Sequence, residues 1–252
     1  MKKVSVLFMI LALNCSDNKQ QLENKDRFSS NFTSMDEIAL IEQITNDGKC
    51  LFPSFAEGDS IIMFKRLLVN APEDTFGRAI NDMVKNYGIN IATKELYNIG
   101  GIYDYPRPLA AEPESLKPKT GEIISWAAEL KEKGLLAYES YPIGNPNQSN
   151  IYLLKNNILE QLSVGPRPVY LDRISNSGRF LSAIYGDSLS RIILYDILNE
   201  NRVYVIKGFG FFVDYMTSFS STDSMMVFIR SNQKFAIGTE PFGDIFLVRF
   251  RH

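Results

Sequence analysis

The chain has 252 residues, of which 45% are hydrophobic and 22% charged, a composition typical of an ordinary globular protein. Its formal net charge is −2 and it contains no run of five or more like charges, which argues against nucleic acid as a partner, because neutralising phosphates takes a clustered basic face. One histidine, His252, and two cysteines are too few soft ligands for a zinc site, so neither a metal nor another cofactor is expected.

The first fifteen residues resemble the leader of a bacterial lipoprotein. Lys2 and Lys3 precede an apolar stretch, Val4 to Leu13, that is too short to cross a bilayer, and Asn14-Cys15 follows it. Residues 1–14 are therefore expected to be a signal peptide. The resemblance implies that Cys15 is acylated and anchors the protein to a membrane of the cell envelope. A plain secretory leader with an incidental cysteine is the alternative.

Residues 15–34 are polar and show no periodicity, which predicts a flexible tether ahead of a domain over residues 35–252. With Cys15 acylated, Cys50 is the one remaining thiol, so an intrachain disulfide is not expected. Its neighbours Leu51 and Phe52 favour a small buried hydrophobe over a reactive thiol.

The first half of the domain shows helical periodicity. Ser34 is a suitable N-cap for a helix over residues 35–44. The apolar residues from Phe76 to Tyr87 recur at helical spacing and predict a helix from Thr75 to Gly88. Further helices are expected over residues 93–99, 123–133 and 154–162, whereas residues 61–69 fit either a strand or a helix.

The second half of the domain changes to the pattern of β-strands separated by Gly, Asn, Asp and Ser turns. Helices followed by consecutive strands predict an α+β domain, with N-terminal helices packed on a C-terminal antiparallel sheet. No internal repeat is expected. The predicted strands cover residues 168–174, 180–185, 191–195, 203–207, 225–230 and 245–250.

Two segments resemble the papain-like cysteine peptidases that process bacteriocin leaders at a double glycine. Residues 72–101 resemble the helix that carries the nucleophile in that family, and residues 164–198 resemble its second half. Matched residue by residue, Phe76 stands at the cysteine position, Arg179 at the histidine position and Asp196 at the orienting acid. The resemblance implies a papain-like fold whose site has lost its thiol and imidazole.

Such a site cannot perform Cys–His catalysis, because phenylalanine does not ionise and arginine stays protonated. We expect instead an ion pair between Arg179 and Asp196, with Phe76 stacked beside the guanidinium. The resulting hypothesis is a membrane-anchored pseudo-peptidase that holds a peptide or protein in its former cleft. The alternatives are a surface interaction lipoprotein unrelated to peptidases, and an active hydrolase of unfamiliar mechanism.

Overall fold

A computed structural model of the chain describes residues 32–56, 58–68, 84–100, 116, 118–145, 148–162, 169–186, 191–200, 202–206, 213–232 and 242–251. These residues form β-strands and two single 3₁₀ turns, Met35–Glu37 and Lys131–Lys133, and no α-helix occurs among them. Within this described part, no helix is long and apolar enough to cross a membrane. The strands are β1 (Thr33–Ser34), β2 (Ala39–Gln43), β3 (Cys50–Phe55), β4 (Ile61–Leu67), β5 (Val84–Asn90), β6 (Leu96–Asn98), β7 (Glu122–Leu130), β8 (Leu135–Pro142), β9 (Asn150–Lys155), β10 (Ile158–Gln161), β11 (Val169–Ile174), β12 (Phe180–Tyr185), β13 (Arg191–Asp196), β14 (Arg202–Val205), β15 (Val213–Phe219), β16 (Met225–Ser231) and β17 (Asp244–Phe250).

The strands make four sheets, each built on a meander of consecutive strands. Sheet 1 has the order β3-β4-β5-β6, and sheet 2 the order β7-β8-β9-β10. Sheet 3 consists of β11 to β14 with β1 at its edge, and sheet 4 of β15 to β17 with β2 at its edge. The strands within each meander pair antiparallel, and β2 pairs antiparallel with β17.

The first hairpin of every sheet closes with the same four-residue turn. The fourth residue of the turn has a positive φ, between 53° and 77°, and its N–H donates to the carbonyl of the first residue. The prediction that the chain has no internal repeat is therefore wrong. The donor–acceptor pairs are Asp59–Ala56 at 3.0 Å, Gly134–Lys131 at 3.0 Å, Gly178–Ser175 at 2.9 Å and Asp223–Ser220 at 3.1 Å.

These repeated turns contact one another from sheet to sheet. The Asp59 carboxylate accepts hydrogen bonds from the backbone N–H of Ser221 at 2.9 Å and from its hydroxyl at 2.5 Å. The Asp223 carboxylate accepts from the backbone N–H of Asn176 at 3.0 Å and of Ser177 at 2.8 Å, and from the Ser177 hydroxyl at 2.5 Å. The turns of sheets 1, 4 and 3 are thus linked in that order.

The sheets pack in the same succession. The first strand of sheet 3 lies across β7 to β9 of sheet 2, β15 lies across β11 to β13 of sheet 3, and β3 lies across β15 to β17 of sheet 4. Among the described residues, β7 makes no comparable contact with sheet 1. Successive four-stranded antiparallel sheets of this kind are the blades of a β-propeller, so the fold over residues 34–252, which form one unit, is propeller-like.

The segment that enters the fold runs through three sheets in turn. β1 joins sheet 3, β2 completes sheet 4 beside β17, and β3 begins sheet 1. The β2–β17 ladder pairs Ala39 with Phe250 and Gln43 with Phe246. Cys50 and Gly243 then exchange two backbone hydrogen bonds, of 2.9 Å and 3.1 Å, and so join the start of sheet 1 to sheet 4.

The predicted α+β, papain-like fold is wrong, because the described parts of the segments predicted as N-terminal helices form strands, turns and the two single 3₁₀ turns, and contain no α-helix. A β-bulge explains one of these errors. The register of β7 on β8 shifts between Ile124 and Trp126, so Ile124 and Ala127 lie on the same face, packed with Tyr138 and Tyr152. A spacing of three that suggested a helix is therefore produced by a strand with one extra residue.

The C-terminal strands were predicted nearly in full. Five of the six expected segments match β11, β12, β13, β16 and β17 within one residue at each end, and the sixth overlaps β14. β15 (Val213–Phe219) was missed. The signal peptide and residues 15–31 of the tether lie outside the described residues and stay predictions, while Thr33–Ser34, at the end of the predicted tether, form β1.

Candidate functional site

The predicted pair of Arg179 and Asp196 is present, but not as the remnant of a peptidase site. Arg179 Nη2 lies 3.0 Å from Asp196 Oδ2, and the aromatic ring beside the guanidinium, 4.6 Å away, belongs to Phe180. Phe180 and Asp196 are direct partners in the β12–β13 ladder, so strand pairing alone brings the two charges together. Phe76 lies outside the described residues. The interpretation of these positions as a degenerate papain-like triad is wrong.

Cys50, at the start of β3, is a buried free thiol with 1% of its surface exposed, and the prediction of a buried residue is confirmed. Burial in particular raises the pKa of this thiol to about 12, and the nearby Asp47 carboxylate adds to the rise, whereas the hydrogen bond with Thr45 opposes it. A thiol with this pKa stays protonated at neutral pH, which is the opposite of what a nucleophilic cysteine needs.

An open pocket of about 210 Å³ lies where the β2–β3 connection meets sheet 1. Apolar side chains form part of its wall, and an ion pair and a lysine supply its charges. We refer to it as the β2–β3 pocket. Its lining residues are Ile44, Thr45, Asn46, Asp47, Cys50, Phe64, Arg66, Ile89, Lys94 and Leu96.

Arg66 on β4 and Asp47 in the connection form the ion pair of this pocket. The Nε atom of Arg66 donates to Asp47 Oδ2 at 2.9 Å, and Nη2 donates to the same oxygen. The guanidinium also lies 5.6 Å from the centre of the Tyr87 ring, within cation–π reach. Nη1 of Arg66 has no acceptor among the described residues, so this edge of the guanidinium is available to a ligand.

Lys94, in the turn between β5 and β6, supplies the second cation. Its Nζ lies 2.6 Å from Oε1 of Glu42 on β2, and Oε2 of Glu42 lies 3.9 Å from Nε of Arg249. Glu42 is therefore shared between two cations. An ammonium has three N–H donors. Among the described residues, Lys94 uses one of them for Glu42, so it keeps donors for a ligand.

Asp244, the first residue of β17, holds the β2–β3 connection in place. One carboxylate oxygen accepts from the Gly48 N–H at 2.8 Å and from the Thr45 hydroxyl at 3.4 Å, and the other accepts from Gln43 at 3.4 Å. Burial, as the main cause, raises the pKa of Asp244 above its ordinary value. The loop that forms one wall of the pocket is therefore fixed to sheet 4.

A second buried carboxylate, Glu139 on β8, joins sheets 2 and 3. One oxygen accepts from the Ser125 hydroxyl at 2.8 Å, and the other from the backbone N–H of Leu171 on β11 at 2.9 Å. Burial raises the pKa of Glu139, although both hydrogen bonds oppose the shift. Its position between two packed sheets marks it as a structural contact.

The sequence did not single out the β2–β3 pocket. On sequence alone, residues 61–69 fit either a strand or a helix. The alternation in IIMFKRL places Ile62, Phe64 and Arg66 on one face of a strand, and a charge on an otherwise apolar face was the signal available.

Among the described residues, no group of three or more His, Cys, Asp or Glu side chains could hold a metal ion.

No protein-family model matches the chain, and no curated protein matches it. The similar solved structures include TolB from Acinetobacter baumannii, with 12% identity over 82% of this chain and 44% of that one, and a TM-score of 0.36. They also include oligogalacturonate lyase in complex with manganese, with 15% identity, coverage of 79% and 48%, and a TM-score of 0.34. A putative TolB from Agrobacterium tumefaciens has 12% identity, coverage of 88% and 89%, and a TM-score of 0.29.

The chain spans less than half the length of the first two of these structures. Identities and TM-scores this low carry no inference about activity. The predicted membership of the papain-like peptidases and the pseudo-peptidase function are wrong, because the described part of the domain consists of four β-sheets. A location in the cell envelope stays a prediction.

Proposed function

We propose that the chain is a binding protein of the bacterial cell envelope, and that its β2–β3 pocket receives part of a peptide or protein partner. The observation that carries this proposal is the pocket itself, which combines apolar walls with cations that keep free donors. Pockets that bind ligands are concave and largely apolar, with a few placed polar groups that fix orientation. The β2–β3 pocket has both properties, and its volume of about 210 Å³ suits a part of a partner rather than a whole drug-sized ligand.

Binding is favoured over catalysis by the state of the groups at this pocket. The thiol of Cys50 has a pKa of about 12, so it does not supply a thiolate at neutral pH. The carboxylates of Asp47 and Glu42 each pair with a cation and so fix the positions of Arg66 and Lys94. Such a group of side chains recognises a partner through fixed donors and apolar contact.

The N-terminal leader supports the envelope location. A short basic segment, an apolar stretch and Cys15 follow one another as in bacterial lipoproteins. We propose that acylation of Cys15 anchors the protein, and that residues 16–31 carry the β-sheet domain clear of the membrane surface. The domain would then bind its peptide or protein partner at the cell envelope.

The binding proposal is tested by site-specific photo-crosslinking in intact cells. A photoreactive phenylalanine derivative replaces Leu96, which lines the pocket, or Leu198, a more exposed leucine elsewhere (exposed fractions 41% and 69%). We expect a discrete covalent adduct from position 96 and none from position 198. The added variant Asn46→Trp, which fills the mouth of the pocket, should abolish the adduct, whereas Asn199→Trp on an exposed turn should leave it unchanged.

An adduct at position 96 that survives Asn46→Trp would mean that the partner does not enter the pocket. The anchor is tested separately by metabolic labelling with palmitate. Labelling should be lost in Cys15→Ala, and the protein should then leave the membrane fraction. Palmitate incorporation that persists in Cys15→Ala would exclude this cysteine as the anchor.

A further inference from the structure

The balance of donors and acceptors in the β2–β3 pocket indicates the chemistry of its ligand. We infer that the pocket binds an apolar group that carries a carboxylate, such as the C-terminal residue of a peptide. This inference rests on the proposed function, because it names the ligand class of the same pocket. It follows from which polar groups are already satisfied by the protein and which are not.

Each carboxylate around the pocket already accepts from donors of the protein. Oδ2 of Asp47 receives two donors of Arg66, and Oδ1 accepts from the Lys49 N–H at 3.3 Å. Glu42 lies between Lys94 and Arg249. Asp244 accepts from Gln43 of β2 and from Thr45 and Gly48 of the β2–β3 connection. A ligand that offers only donors, such as an ammonium group, would therefore compete with the donors that hold the loop in place.

The donors, in contrast, are in excess. Arg66 uses Nε and Nη2 for Asp47, and no described residue accepts from Nη1. Lys94 spends one of its three ammonium donors on Glu42. Both cations line the same pocket, and their side chains remain 31% and 39% exposed. An entering carboxylate can accept from either cation without displacing the acid that the cation already holds, and charge-assisted hydrogen bonds of this kind are among the strong ones.

The rest of the pocket fits an apolar side chain. Ile44, Phe64, Ile89 and Leu96 line it, and Phe64 and Ile89 are fully or almost fully buried. The pocket has a volume of about 210 Å³, below the roughly 300–1,000 Å³ of sites for drug-sized ligands. That space suits one aliphatic or aromatic residue with its carboxylate, and is too small for a folded element. A peptide C-terminus and a free small carboxylic acid share this chemistry.

The test compares acids with their amides by isothermal titration calorimetry on the full chain. The probes are N-acetyl-leucine and its amide, and the peptide Gly-Gly-Gly-Leu with a free or an amidated C-terminus. We expect each acid to bind at least about tenfold more tightly than its amide, since the amide loses a charge-assisted bond. Binding by the peptide acid alone identifies a chain terminus as the source, and equal binding by both acids identifies any small apolar acid.

Substitutions of the two cations test whether they bind the carboxylate. Lys94→Gln lies in an exposed turn, so folding is preserved, and it should weaken binding of the acids about tenfold or more without changing the amides. Arg66→Gln should do the same, with its melting curve as a check on folding. Lys131→Gln, on a fully exposed turn in sheet 2, is the matched control and should change nothing.

Equal affinity for acid and amide, or no binding of any probe, overturns the inference. The crosslinking at position 96 then distinguishes an error in the ligand class from an error in the proposed function. If adducts from position 96 persist and remain sensitive to Asn46→Trp, the pocket is used and only the carboxylate assignment is wrong. If those adducts are also missing, the proposed function falls with it.

Discussion

The contact between the turns of sheets 3 and 4 makes Asp223 the most informative residue for the stability of the fold. It is 6% exposed, has a φ of 56°, and its carboxylate accepts three hydrogen bonds from Asn176 and Ser177. Asp223→Ala removes all three and leaves two backbone N–H groups in a partly buried turn. A hydrogen bond to a charged group contributes about 1.5–3 kcal/mol, and neighbouring bonds are not additive.

We therefore expect Asp223→Ala to lower the free energy of unfolding by about 3 to 4 kcal/mol. Asp223→Gly loses the same bonds but adopts a left-handed φ without strain, so it should be about 1 kcal/mol less damaging than alanine. The ordering of alanine and glycine tests the backbone argument separately from the hydrogen bonds. Urea unfolding followed by circular dichroism supplies the free energies.

Asp59 provides the matched control. It occupies the same position of the repeated turn in sheet 1, with a φ of 53°, and it also caps a neighbouring turn, at Ser221. Its hydrogen bonds are exposed, so Asp59→Ala should cost only about 1 kcal/mol. A loss from Asp223→Ala no larger than that from Asp59→Ala would refute the claim that burial of the turn contact stabilises the packing of sheet 3 on sheet 4.

Three further predictions concern buried groups. The pKa of Glu139 is raised above its ordinary 4.5, so the folded state binds its proton more tightly and the free energy of unfolding of the wild type falls as the pH rises above 4.5. Glu139→Gln should therefore gain stability relative to wild type in urea unfolding as the pH rises from 4.5, and a pH-independent difference would contradict this. In a Cys15→Ser background, Cys50 should react with a thiol reagent only after denaturation, and fast labelling of the native protein would disprove the raised pKa. A methyl group at Gly243 would meet Arg230 O at 2.4 Å, whereas one at Gly100 meets nothing within 4 Å, so thermal melts should show Gly243→Ala losing about 2 kcal/mol or more while Gly100→Ala is neutral.

Strands β11 to β14, β16 and β17 were predictable because their apolar runs are bounded by turn residues. Local features made strands of sheets 1 and 2 resemble helices in the sequence. In LLKNNILEQL, Asn156 and Asn157 both adopt positive φ and close a two-residue hairpin between β9 and β10. Two asparagines between apolar residues are a hairpin signal, and the helical interpretation of this stretch ignored it.

The internal repeat was also visible in the sequence. Residues 55–62 read FAEGDSII and residues 219–226 read FSSTDSMM, and in both the aspartate is the left-handed residue that ends the turn. The repeat was missed because the other two copies differ: ISNSGRFL has glycine at that position, and the sheet 2 turn is one residue shorter before β8. The β2–β3 pocket could not be predicted, because it joins Asp47, Arg66 and Lys94 through strand pairing that sequence spacing does not encode.

The path of residues 33–55 through three sheets constrains the order of folding during synthesis. β2 leaves the ribosome among the first strands of the domain, yet its partner β17 follows roughly 200 residues later in the chain. Until then the exposed ladder of β2 is an open strand edge, which is prone to pairing with other chains. Sheets 2 and 3 consist almost entirely of local hairpins and can form early, so sheet 4 is completed last. A chain that has crossed a membrane unfolded would therefore close this domain only when its final strand arrives.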